Sequence, residues 1–151
     1  MLRRLVLTTA TAALVSAAAP AAGALALPVG GLPPLPLLSS PDRLTVTVSK
    51  SVDPAANGTF ELECGANGAS GNHPAADGAC TRLGQLAARG EDPFAPPAED
   101  RMCTQQYGGA AVAHITGTWQ GRSVDARFSR ADGCEIDRWE NLEPVLPLVR
   151  R

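Results

Sequence analysis

Residues 111–128, AVAHITGTWQGRSVDARF, decide how the rest of the chain folds. Ala111, Ala113, Ile115 and Trp119 fall on one face of an extended segment, Gln120-Gly121 supply a turn, and Val124, Ala126 and Phe128 return on the other side of it. Alternation with a period of two marks strands that bury one face and wet the other. Two such strands across a tight turn make an antiparallel hairpin, and Trp119 reads as core packing just before the turn.

The same alternation recurs upstream in Leu44-Thr45-Val46-Thr47-Val48-Ser49 and Thr59-Phe60-Glu61-Leu62-Glu63-Cys64. The connection between them holds Asp53-Pro54 and Asn57-Gly58, both turn signals, so a second hairpin is predicted. Residues 79–89, ACTRLGQLAAR, change period: Leu83 and Leu86 stand three apart with Cys80 and Ala87 beside them, and Gly90 supplies a stop. That is a short amphipathic helix. Residues 90–97, GEDPFAPP, cannot continue it and read as loop. An α+β domain follows, an antiparallel sheet with at least one helix packed on one face.

The four cysteines allow three pairings. Their wide spacings do not suit zinc, whose ligands come in close pairs. Cys103 and Cys134 flank the hairpin of residues 111–128 and can meet at its open end, and Cys64 and Cys80 flank the step from strand to helix. These local pairings, Cys64-Cys80 and Cys103-Cys134, would stabilise by about 3 to 4 kcal/mol each in the loop-entropy model.

Export is read from the N-terminus. MLRRLVLTTATAALVSAAA has two arginines before an uncharged apolar run, the pattern of a secretory signal, with small-residue cleavage sites after Ala24 or Ala26. The run is too short and alanine-rich for a bilayer span, and no later segment is apolar enough. Residues 27–41, LPVGGLPPLPLLSSP, resist helix and central strand and read as a flexible proline-rich arm. The expected organisation is a signal peptide over 1–26, the arm over 27–41 and one domain over 42–151. Removing Arg3 and Arg4 takes Lys+Arg from 13 to 11 against 15 acidic residues, a net charge near −4. That balance argues against nucleic acid, and the mature form has no membrane segment.

A catalytic site requires a nucleophile, a base and an orienting group. His73, within Ser70-Gly71-Asn72-His73-Pro74, reads as an exposed turn residue, and His114 as a solvated strand residue. Glu61 and Glu63 share a wet strand face. No phosphate loop, metal-spaced histidine pair or cofactor motif appears. The reading is a binding protein, not an enzyme, with no cofactor and no metal.

Four pieces then stand in order: Gly71-x-His73-Pro74-Ala75-Ala76-x-x-Ala79-Cys80; Met102-Cys103-Thr104-x-x-Tyr107; Gly117-x-Trp119-Gln120-Gly121-Arg122; and Phe128 before Cys134-Glu135. Over roughly residues 42–137 this resembles the Streptomyces subtilisin inhibitor family. The resemblance implies a small secreted serine-protease inhibitor, a homodimer, folded as a five-stranded antiparallel sheet with two short helices on one face and the disulfide pairing above. It also implies a reactive bond two residues after the third cysteine, here Gln105-Gln106. Met102, Cys103, Thr104 and Tyr107 then make up the protease-binding loop. Gln105 would enter the primary pocket of the protease; being neutral, it suits a subtilisin-like enzyme better than trypsin.

Three departures accompany the resemblance. Gly108-Gly109 replace a usual Asp-Pro, which is expected to loosen the loop. Asp132 replaces an asparagine that supports the loop. The stretch from Arg138 to Pro147 does not match the usual ending, leaving its place in the sheet and the dimer contact open. The alternative reading is a secreted interaction protein or transglutaminase substrate, with Gln105 and Gln106 as acyl donors.

Overall fold

The computed structural model describes residues 41–149; the signal peptide expected over 1–26, and the arm expected over 27–41 apart from Pro41, lie outside these residues. Five strands form one sheet: β1 Asp42–Ser49, β2 Gly58–Gly65, β3 Gly68–Gly71, β4 Val112–Trp119 and β5 Arg122–Phe128. Their order is β3-β2-β1-β4-β5, with every neighbouring pair antiparallel. Two helices complete the fold, α1 Ala76–Ala88 and α2 Gly133–Asn141. No helix among the described residues is long and apolar enough to cross a membrane.

The alternation read from sequence sets the register. Val46 stands between Phe60 and Ile115, and Ala113 opposite Phe128, so one face of the sheet collects Leu44, Val46, Val48, Leu62, Ile115 and Phe128. Leu83 and Leu86 of α1 and Trp139 of α2 are buried in the same cluster. Burying a side chain of this size stabilises by about 1.5–3 kcal/mol, enough for a few such contacts to hold a short helix on a sheet. The other face carries Thr47, Thr59, Glu61, Asp125 and Arg127, all exposed. Trp119 is core, as expected.

The helix expected from Ala79 begins three residues earlier, at Ala76. Ala76-Asp77-Gly78 have no apolar spacing to announce them, but Asp77 in the first turn complements the positive helix end. The stop is where it was predicted. Gly90, with φ +73°, donates to Ala87, and Glu91 donates to Leu86, the paired bonds of a Schellman motif. Strand β3 went unseen because Gly-Ala-Ser-Gly has little strand propensity. Its place on the edge comes from pairing with β2, where Gly71 (φ +105°) lies so close to the Glu61 carbonyl that a Cβ would collide with it.

One expectation is corrected. His73 is buried, not an exposed turn residue: its Nδ1 accepts from the Ala75 N–H at 3.2 Å, leaving Nε2–H to donate to the Val145 carbonyl at 3.0 Å. Burial pushes its pKa down, against the opposing effect of that carbonyl. The ending, whose place the sequence left open, is well packed. It forms no further strand among the described residues; instead Leu142, Val145 and Leu146 enter the core, and the Trp139 indole N–H donates to the Pro147 carbonyl at 2.9 Å.

Candidate functional site

Between α1 and β4 the segment around Cys103 has no regular secondary structure, and residues 101–107 are all exposed. Met102 is 97% and Tyr107 67% exposed, values that set them apart from nearly every other large apolar side chain in the domain. Backbone of this kind usually moves. Here it is tied down at three successive points.

The first tie is covalent. Cys103 joins Cys134, with Cα atoms 5.3 Å apart, and Cys64 joins Cys80, so both expected pairings are present. Cys134 sits in the first turn of α2 and is buried, which makes the helix the anchor. The second tie uses the end of the same helix. The first N–H groups of a helix have no partner within it; the Gly133 N–H donates instead to the Thr104 carbonyl at 2.9 Å. A Cβ on residue 133 would run into the Thr104 hydroxyl, so glycine allows the approach.

The third tie lies beyond Tyr107. The Gly108 N–H donates to the Arg130 carbonyl at 2.8 Å, and the Arg130 Nε–H donates back to the Gly108 carbonyl at 3.0 Å. A Cβ on residue 108 would stand 2.8 Å from the Ile136 side chain. Gly108 therefore corrects the expectation that the double glycine loosens the loop: its lack of a side chain lets the backbone seat against α2.

Asp132, expected to support the loop, caps a helix. It precedes α2 with extended backbone, and its Oδ1 accepts from the Glu135 N–H at 3.0 Å, an N-cap. The helix end that it caps carries Gly133 and Cys134. The carboxylate lies near both sulfurs, but these are joined to each other, leaving no thiolate for a metal.

Of the residues expected at the site, Gln105, Gln106 and Tyr107 thus lie between the pinned Thr104 carbonyl and the pinned Gly108, while Met102 and Cys103 lie just upstream. An open groove of about 410 Å³ adjoins the Tyr107 end of the segment, lined by Lys50, Val52, Tyr107, Gly109, Ala110 and Val149. Arg130 and Gly133 had no signal in the sequence beyond their closeness to Cys134. His114 stays at the opposite sheet face, where its Nε2 is 2.7 Å from Asp125, whose pKa that contact lowers.

Residues 40–131 match the model of the family described as subtilisin inhibitor-like. The chain belongs to that family. The subtilisin inhibitor of Streptomyces albogriseolus is 36% identical over 124 residues, covering 80% of this chain and 81% of the relative. Subtilisin inhibitor-like protein 3 of Streptomyces coelicolor is 39% identical over 99 residues, covering 63% and 88%. Among solved structures, Streptomyces caespitosus sermetstatin, in complex with Bacillus licheniformis subtilisin, aligns with TM-score 0.46 and 22% identity over 72% of this chain and all of that one. The family assignment rests on the sequence matches.

Proposed function

We propose that this subtilisin inhibitor-like chain is a secreted inhibitor of subtilisin-like serine proteases, which it meets as a substrate whose bond Gln105-Gln106 is cut slowly and released poorly. One observation carries the reading: three exposed residues, 105–107, are held between main-chain ties on both sides. A protease binds an extended peptide by pairing with its backbone as an added strand. A segment already held in position loses little conformational entropy on docking.

Each residue has a role in this scheme. Gln105 fills the primary pocket, and Met102 reaches an apolar subsite farther along the cleft. Thr104 presents the backbone before the bond; Gln106 and Tyr107 follow it. Cys103 keeps the acyl side attached to the domain. The protein supplies no catalytic group, since all chemistry belongs to the protease.

Secretion is supported by the arginine-led apolar N-terminus and by two disulfides, which persist in oxidising compartments. The family likeness further favours a homodimer, and the sheet face that neither helix covers is available for it. Light scattering of the purified domain measures that directly. The function is tested by titrating subtilisin with the protein: stoichiometric loss of activity supports inhibition, and fast digestion opposes it. The exposure of Gln105 keeps one other reading open, an acyl donor for a transglutaminase; incorporation of a labelled amine at residue 105 without protease inhibition would favour it.

A further inference from the structure

We propose that Arg130 is the positioning residue of the amine side of the loop, a buried cation that clamps the Gly108 peptide and keeps the new amino end in place after the bond is cut. The inference rests on the inhibitor reading and adds a component that the disulfide does not supply.

Arg130 is 1% exposed. Its guanidinium makes one short side-chain hydrogen bond, from Nε to the Gly108 carbonyl, while its contact to Glu140 is 3.4 Å long and Nη1 has no hydrogen-bond partner. The face of Trp139 lies 5.9 Å away. As a stabilising device this is poor, because desolvating a cation costs more than a long ion pair and a distant ring return, and an apolar residue in such a place is often neutral or better. What the arrangement does achieve is position. Arg130 holds Gly108 by both backbone and side chain, and Ile136 closes the space where a side chain on 108 would stand.

The consequence is chemical. The protease serine oxygen attacks the Gln105 carbonyl carbon; the C–N bond breaks, Gln106 nitrogen leaves as an amine carrying a proton from the protease histidine, and an acyl-enzyme ester forms. Two fates compete. Water attacks the ester and hydrolysis is complete, or the amine attacks it, returns its proton to the histidine and restores the peptide with free serine. The second fate depends on the amine staying close. Cys103 stands two residues before the bond and Gly108 two residues after Gln106, so the two ties restrain the acyl and amine fragments over equally short spans.

The test compares wild type with Arg130→Met, a long apolar replacement, and Arg130→Lys, which keeps a charge and one donor. Three quantities are measured: inhibition constant for subtilisin, rate of cleavage at 105–106, and melting temperature, with hydrogen exchange at Gly108 as a protease-free readout. Arg130→Met is expected to melt near wild type, exchange faster at Gly108, weaken inhibition and speed cleavage by roughly 10- to 100-fold, the scale of one lost charge-assisted hydrogen bond. Arg130→Lys is expected to fall between them, and it decides the matter if the methionine variant does not fold. Unchanged cleavage and exchange in whichever variant folds, even with a lower melting temperature, would overturn the proposal. Should wild type itself fail to inhibit subtilisin, the functional reading fails first and the clamp has no reaction to serve.

Discussion

The domain contains two disulfides of nearly equal geometry, Cα separations 5.6 and 5.3 Å, in two very different settings. Cys64-Cys80 joins a sheet strand to a helix that already packs on it, and both cysteines lie against the core. Cys103-Cys134 joins an exposed, irregular segment to the buried first turn of a helix. The first cross-link duplicates contacts that hydrophobic packing makes anyway. The second holds something that nothing apolar holds. A disulfide's contribution is therefore set less by its own geometry than by what would happen to its two ends without it.

That contrast can be broken most forcefully by deleting each bond in turn. Replacing Cys103 and Cys134 together by serine is expected to turn the protein from inhibitor to substrate, with at least a hundredfold weaker inhibition of subtilisin, and to cost about 4 kcal/mol of stability. Replacing Cys64 and Cys80 by serine is expected to cost about 3 kcal/mol yet leave inhibition by the folded fraction close to wild type. Denaturant unfolding and inhibition assays on both pairs check this. Equal loss of inhibition in the two would remove the distinction.

A smaller effect sharpens it from the other side of the bond. Gly108→Ala places a methyl group against Ile136, and overpacking of this kind costs about 1–3 kcal/mol or shifts the backbone. Since that backbone is the tie, inhibition is expected to weaken by roughly tenfold, consistent with about 1.4 kcal/mol of lost positioning. Specificity should move independently of rigidity: Gln105→Lys is expected to raise trypsin inhibition by tenfold or more with melting temperature unchanged, because residue 105 is exposed and, as the proposed primary-pocket residue, would act through its side chain on the protease alone.

The smallest effects concern groups away from the loop and report on the fold alone. Burial, reinforced by the Glu140 carboxylate and opposed by Arg130, raises the pKa of Glu143. The unfolded chain then ionises first, so this group's contribution to stability is lost as pH rises above the usual glutamate range. Glu143→Gln is expected to raise the melting temperature at neutral pH, with the difference from wild type vanishing in acid. His73 has the opposite slope with pH. Its lowered pKa means the unfolded chain takes up the proton first, so stability falls as pH drops below about 6.5. Thermal melts from pH 4 to 8 check both, and neither group should alter inhibition at constant folded fraction.

Much of the fold was legible because most of its strands alternate and its longer helix has apolar residues at helical spacing. Leu44 to Ser49, Thr59 to Cys64 and the hairpin of 111–128 each declare one buried face, and the local disulfides follow from that order. Strand β3 was not legible, since its pairing is conferred by β2 and not by its own side chains. His73 looked exposed because its neighbours are turn residues, whereas its partner, Val145, is remote in sequence. The site divides the same way. Residues 102–107 are proposed as the site from likeness of motif, whereas the ties around them depend on Gly133 meeting Thr104 and Arg130 meeting Gly108. Nothing in the periodicity of a sequence announces such meetings.

The central claim, that a pinned segment stalls a protease at one bond, is tested most directly by incubating the oxidised protein with subtilisin at near-equal concentration and following activity and fragment masses together. The account predicts stoichiometric inhibition, with any slowly appearing clipped species beginning at Gln106 and still linked through Cys103-Cys134. Rapid degradation without inhibition, or a first cut at any other bond, would contradict it.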